Sequence, residues 1–200
     1  MSEKTEAIKK IAEEVVRDDE RLATIAEQLS SRSRRARQDS AAVLSQVAKI
    51  KPEILVPYLG ELIDALECEE AQTRWEILEA LVELVPLESR TCDKAIPAAE
   101  DSLFDEDNGF ARLSAVRFLC KLGATTENRS ERVWPYLDEA IQCYHGNLEY
   151  QDMLIALIAF SEGKLTSSVK EGLINRISFD AENAKGVLQR RSQQILDNLR

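Results

Sequence analysis

The sequence predicts an all-α fold of about 11 helices stacked as antiparallel pairs, and three observations carry that prediction. Apolar residues recur at intervals of three and four along the whole chain, the spacing that lines one stripe of a helix, and no alternating β-branched run competes with them. Short breaks that carry Gly, Pro or small polar residues separate the helical stretches. Two independent markers repeat with nearly the same period. Arg37-x6-Leu44-x2-Val47 aligns with Arg74-x6-Leu81-x2-Leu84 and with Arg112-x6-Leu119-x2-Leu122, at shifts of 37 and 38 residues. An apolar residue followed by proline recurs as Val56-Pro57, Ile96-Pro97 and Trp134-Pro135, at shifts of 40 and 38.

Taken in order, residues 1–18 form an N-terminal capping segment whose helix runs from Glu3 to about Arg17, and five pairs follow it. The first, 19–50, breaks at Ser30 to Ser33, carries Arg37, Leu44 and Val47 in its second helix, and stops before Lys51-Pro52, where proline disfavours continuation. The second, 52–86, has Leu55, Leu59, Leu62, Ile63 and Leu66 on one stripe and Ile77, Leu78, Leu81, Leu84 and Val85 on another, and ends at Pro86 to Ser89. The third, 90–123, contains Pro97 and breaks at Asp105 to Gly109. Its Asn108-Gly109 is followed by Phe-Ala-Arg-Leu-Ser-Ala-Val, a helical pattern and not a hairpin strand. The fourth, 130–161, carries Pro135, turns at Tyr144 to Asn147, and places Tyr150, Leu157 and Phe160 in the register of the recurring arginine and leucines. The fifth, 166–199, reaches Ile195 one period later. All five pairs and the cap read as one domain.

This pattern resembles the HEAT-repeat (armadillo-type) family over nearly the whole chain, from about residue 19 to 199. In that family the first helix of a unit carries a proline, an acidic residue stands near the turn, and the second helix opens with an arginine. Pro57, Glu67 and Arg74 occupy those places here, as do Pro97, Asp105 and Arg112; the first unit has Arg37 without proline, and the fourth has Pro135 with Tyr150 in the arginine position. The resemblance implies a right-handed α-α superhelix in which each pair buries its core against the next and the second helices line a concave groove. Arg37, Arg74 and Arg112 fall about 20° from Leu44, Leu81 and Leu119 at 100° per residue, on the core side, so the expected role of each is a guanidinium paired with a turn acid or carbonyl.

The groove face then follows from the register. Gln72, Glu76, Glu79 and Glu83 lie opposite the core stripe of the second unit. The equivalent residues are Arg35, Asp39, Ala42 and Gln46 in the first, Phe110, Ser114, Arg117 and Lys121 in the third, Leu148, Asp152, Ile155 and Ala159 in the fourth, and Gly186, Arg190, Gln193 and Asp197 in the fifth. A face banded in charge fits a protein or peptide partner with its own charge pattern, whereas a nucleic-acid groove is positive throughout. The partner-binding candidates are Arg35, Gln72, Glu76, Glu79, Glu83, Arg117, Lys121, Asp152, Ile155 and Arg190.

Charge narrows the function classes. The 200 residues carry 26 basic and 36 acidic side chains, a formal net charge of −10, which opposes non-specific affinity for nucleic acid or anionic membrane. The imbalance is local: residues 52–111 hold 16 acidic and 3 basic side chains, a block that also permits weak self-association. Against that background Arg32, Arg34, Arg35 and Arg37 cluster at a helix entrance, where cations oppose the macrodipole; Arg32, Arg34 and Arg35 are the candidate phosphate patch of an alternative, nucleic-acid-associated reading. The alkylpurine DNA glycosylases, which look like short HEAT arrays, would need Trp75 or Trp134 to face a base, and the nearby Glu76, Glu79 and Glu83 would repel the backbone.

Catalytic signatures are weak. The single His145 stands in a turn two residues from Cys143, and no Gly-rich phosphate loop occurs. Cys68, Cys92, Cys120 and Cys143 lie 24, 28 and 23 residues apart, a spacing that fits buried reduced thiols better than a zinc site or a disulfide framework. The start Met1-Ser-Glu-Lys lacks the basic-then-apolar layout of a secretory signal, and no window holds about 18 uninterrupted apolar residues. The sequence is therefore expected to encode a cytoplasmic, non-enzymatic interaction scaffold without metal or cofactor.

Overall fold

The computed structural model describes residues 3–200; Met1 and Ser2, assigned above to the capping segment and to the leader argument, lie outside the described residues. No strand occurs among the described residues, and the chain packs as two compact units that meet in sequence between Ser102 and Leu103.

In the first unit, α1 (Glu3–Val15) is too short to persist alone in water and is held by burying Ala12 and Val15, packing chiefly against α3 (Arg34–Ile50). Between them α2 (Asp19–Glu27) is capped by the Asp18 side chain, which accepts from the Arg21 N–H at 3.0 Å, and α3 by Ser33, which accepts from the Ala36 N–H at 3.4 Å. The first helix of the next pair is fragmented: Pro52–Tyr58 is a 3-10 run, α4 (Leu59–Asp64) is six residues long, and Ala65–Glu67 is again 3-10. Pro57 inside the run has no N–H to give an α-helical bond, and its ring crowds the turn before it. Opposite lies α5 (Ala71–Cys92), which leaves helical geometry at Glu88 (φ −140°, ψ 50°), two residues after Pro86, so the break expected there is a kink rather than a loop. α6 (Ile96–Leu103) follows, with Pro97 in its first turn, where the missing N–H costs nothing. α1, α3 and α5 pack side by side as one layer over α2 and α4, around fully buried Leu44, Val47, Leu55, Leu62, Ile77, Leu78, Leu81 and Leu84.

The second unit repeats the scheme. α7 (Gly109–Gly123) is capped by Asn108, which accepts from the N–H groups of Phe110 and Ala111, both at 3.1 Å. α8 (Glu127–Tyr144) begins three residues before the expected boundary because the Thr126 side chain caps it, and it passes through Pro135 unbroken. α9 (Tyr150–Ser161) packs between α7 and α11 (Gly186–Leu199), while α10 (Ser167–Asn183) packs on α8 and α11. Gly186 adopts φ 69°, a left-handed turn between α10 and α11 that a side chain would strain. Phe118, Leu119, Leu122, Leu154 and Phe160 are fully buried. α11 exposes Arg190, Gln194, Asp197 and Asn198, and in the first unit α1 exposes Glu3, Lys4, Glu6 and Lys10.

Candidate functional site

The recurring arginine is built into each unit as a clamp. Arg37, in the first turn of α3, sends Nη1 to the Ser31 carbonyl at 2.7 Å and Nε to Glu70 at 3.3 Å, with Nη2 also donating to Glu70. Arg112, at the same position of α7, sends Nη1 to the carbonyls of Asp105 and Glu106 at 2.7 and 3.0 Å and Nε to Glu149 Oε1 at 2.8 Å. Glu70 and Glu149 are the N-cap residues of α5 and α9, so each arginine joins its own turn to the start of the next second helix. The expected turn carbonyl is thus met by Ser31 for Arg37 and by Asp105 and Glu106 for Arg112, and the acid that Arg37 holds is Glu70 of the following pair. The hydrogen bond from Arg37 holds the Glu70 carboxyl below the usual carboxylate range. Burial pushes the Glu149 carboxyl up, but its own backbone N–H and Arg112 outweigh burial and leave it lowered.

The fourth pair departs from the expected register. The N-cap of α9 lies 41 residues after that of α7, whereas Glu70 and Asn108 are 38 apart. Tyr150 is thus the first residue of α9, and buried Met153, four residues after the N-cap, takes the place Arg112 has in α7. Tyr150 is itself 2% exposed and its hydroxyl makes no hydrogen bond; burial, with the Asp180 charge, pushes the phenol up. His145 lies with its ring centroid 5.0 Å from that of Tyr150 and its Nε2 3.0 Å from buried Asp180, an arrangement that positions the α8–α9 turn. Cys143 is exposed and Cys68 half-buried, contrary to the expectation of four buried thiols; Cys92 and Cys120 are buried, and burial pushes Cys120 far up.

On the first unit, Gln72, Glu76 and Glu79 are half-buried and Glu83 is exposed along one side of α5, opposite the buried stripe. On α3, Arg35 is exposed and Asp39 half-buried, with Asp39 3.5 Å from both Arg35 Nε and Lys4 Nζ. Ala42, expected on the open face, is 2% exposed, because α3 has α1 on one flank and α5 on the other and its open strip is narrow. Arg32, Arg34 and Arg35 are exposed at the start of α3, while Arg37 turns inward to its clamp and leaves the patch.

On the second unit, Arg117 is half-buried and Lys121, Asp152, Ile155 and Arg190 are exposed. Ser114, expected on the open face, is buried, a small side chain where α7 meets its neighbours. Arg191, which the repeat pattern passed over, donates through Nη1 to the backbone carbonyl and side-chain oxygen of Gln151 and so ties α11 to α9. Trp134 packs on α10: a Cβ at Gly172 would stand 2.8 Å from its ring, which makes the indole a packing group. A cleft of about 410 Å³ opens between the N-terminal ends of α7 and α9, lined by Gly109, Phe110, Arg112, Leu113, Leu148, Glu149 and Asp152.

Among the described residues no group of three or more His, Cys, Asp and Glu side chains could hold a metal ion, and no helix is long and apolar enough to cross a membrane. No protein-family model and no curated protein sequence matches the chain. Solved structures do. A designed armadillo repeat protein in complex with the peptide (KR)4 superposes with a TM-score of 0.78 at 13% identity, over 98% of this chain and 91% of that one. Computationally designed armadillo repeat proteins for modular peptide recognition give 0.74 at 15% identity, over 97% and 91%. The archaeal HEAT-like repeats protein from Thermococcus onnurineus NA1 gives 0.58 at 16% identity, over 100% and 97%. The fold is an all-α solenoid of the HEAT and armadillo type, shared with the designed armadillo repeat proteins and the archaeal HEAT-like repeats protein.

Proposed function

We propose that the chain is a non-enzymatic, cytoplasmic scaffold, a single repeat domain that takes a protein or peptide partner on its layer of second helices. The observation that carries this reading is the polar stripe of Gln72, Glu76, Glu79 and Glu83 on α5, the first three half-buried and Glu83 exposed, while the opposite side of the same helix is fully buried. The backbone of a helix is satisfied internally, so such a layer offers a partner only side chains, and on α5 these are acidic, with Glu83 exposed and Glu76 half-buried on one strip. A similar solved structure, a designed armadillo repeat protein, is in complex with the peptide (KR)4. A basic segment of that kind is the charge complement of the α5 stripe.

The test is affinity capture from native lysate with the tagged full chain, with and without nuclease, by wild type and by a Glu76→Lys, Glu79→Lys, Glu83→Lys variant. The reading expects a partner whose recovery survives nuclease and falls at least tenfold with the variant; unchanged recovery removes the stripe from the proposal. The exposed Arg32, Arg34 and Arg35 favour a second reading, a nucleic-acid-associated scaffold, for which nuclease would abolish recovery and charge reversal on α5 would not.

A further inference from the structure

We infer that the cleft between the N-terminal ends of α7 and α9 binds a short peptide segment that presents an aliphatic or aromatic side chain beside a lysine or arginine. This rests on the reading of the second-helix layer as the binding side and gives the second unit its own ligand chemistry. Single exposed apolar residues are ordinary, but here Leu148 is 100% exposed and Phe110 69% exposed, and both line the same cleft of about 410 Å³ above buried Leu113. That volume is in the range of clefts that accept a compact apolar group.

Charge then selects what flanks the apolar side chain. Arg112 is the one cation that lines the cleft among the described residues, and its guanidinium is already engaged by Glu149, by the carbonyls of Asp105 and Glu106, and by the Tyr144 ring 5.0 Å away. Asp152 is exposed at the opposite wall with no ion pair among the described residues. The adjoining turn adds exposed Glu106 and Asp107, and residues 103–110 contain three acids and no base. An apolar floor with an acidic rim attracts a cation placed next to an apolar side chain and repels acidic or phosphorylated segments.

The test begins with selection of a random dodecapeptide phage library on the immobilised full chain, followed by fluorescence anisotropy of the selected peptides. The expected sequences place Leu, Ile, Phe or Trp within two residues of Lys or Arg. Their affinity should fall at least tenfold for Leu148→Ser with Asp152→Lys and stay within twofold for Glu76→Lys, Glu79→Lys, Glu83→Lys, and the thermal melt of the cleft variant should fall by no more than a few degrees, since both positions are exposed and only the charge at the first turn of α9 is reversed. Enrichment of acidic peptides, or of none, overturns the inference. Peptides that lose binding with the α5 variant but not with the cleft variant overturn it while leaving the layer reading intact, and insensitivity to both variants removes both. A concentration-dependent dimer that Leu148→Ser dissociates would assign the cleft to a second copy of the chain and equally overturn the peptide proposal.

Discussion

Arg112 donates through Nε to Oε1 of Glu149 at 2.8 Å, and because Glu149 caps α9 this bond fastens the opening turns of two successive second helices together. Arg37 and Glu70 do the same for α3 and α5. Neither glutamate side chain makes a capping hydrogen bond to the helix it precedes; each carboxylate instead accepts from its own backbone N–H and from the guanidinium.

Removing Arg112 would leave the Glu149 carboxylate, 12% exposed, and two turn carbonyls without their donor. Arg112→Ala should therefore lower the unfolding free energy by about 2–4 kcal/mol. Arg112→Lys should recover less than half of the loss, because a point cation cannot reach a carboxylate and two carbonyls at once. Glu149→Gln keeps an acceptor and should cost about 1 kcal/mol. Urea unfolding of the three variants decides the matter, and a loss below about 1 kcal/mol for Arg112→Ala would reduce the clamp to a surface pair.

The same contacts fix the acid limb of stability. Glu70 is lowered from 4.5 chiefly by the Arg37 hydrogen bond; Glu149 is also lowered, burial being outweighed by hydrogen bonds from its backbone and Arg112. A depressed native pKa means the stabilisation is complete above the unfolded value and is lost as pH falls through the native one. The stability gap between wild type and a Glu70→Gln, Glu149→Gln variant should thus be constant from about pH 6 to pH 8 and shrink progressively below about pH 4.5. A gap that persists unchanged to pH 3 is the contrary result.

Gly123 closes α7 where two buried side chains converge. A Cβ there would stand 2.4 Å from Val133 Cγ2 and 2.9 Å from Phe160 Cε2. Alanine in a helix ordinarily gains about 1 kcal/mol over glycine, but at this position overpacking should dominate. Gly123→Ala is expected to destabilise by about 1–3 kcal/mol, measured by chemical denaturation, and a stabilised variant would show that α8 or α9 can shift to accept a methyl group.

The periodic core was legible because one physical cause, burial of a helical stripe, wrote Leu44, Leu81 and Leu119 at nearly equal spacing. The recurring arginines could be placed on the core side for the same reason. Their partners could not: Glu70 and Glu149 lie 33 and 37 residues downstream, and nothing local to either distinguishes it from Glu67 or Glu69. The shift at Tyr150 was hidden because one extra turn keeps an apolar stripe in phase, so Tyr150, Met153, Leu157 and Phe160 are all buried whichever residue opens the register. On the candidate surface the α5 stripe was readable from its polar periodicity. The burial of Ala42 and Ser114 was not, since a small residue suits an open strip and a close helix contact alike.

Thiol chemistry should sort the four cysteines by exposure. Cys143 at the exposed end of α8 should react with an aromatic disulfide reagent within minutes at pH 8, and Cys143→Ser should remove that phase alone. Cys68, whose thiol burial pushes up, should react more slowly, and Cys92 and Cys120 only on unfolding. Four equivalents of fast reaction in native buffer would contradict the packing of α5 and α7.

The arginines at the start of α3 set a limit on nucleic-acid binding. Arg32, Arg34 and Arg35 are exposed, and Arg35 is shared with a half-buried Asp39 that also meets Lys4, so the patch offers at most two unshared cations once Arg37 is committed to Glu70. Two or three phosphate contacts predict a shallow dependence of duplex binding on salt, with a log–log slope of about −2 to −3. Binding of a labelled 20-base-pair duplex should therefore be weak at 150 mM salt, and Arg32→Ala, Arg34→Ala, Arg35→Ala should remove what remains. A slope steeper than about −5, abolished by the same three substitutions, would require cations from elsewhere on the chain and would move the nucleic-acid reading ahead of the peptide one.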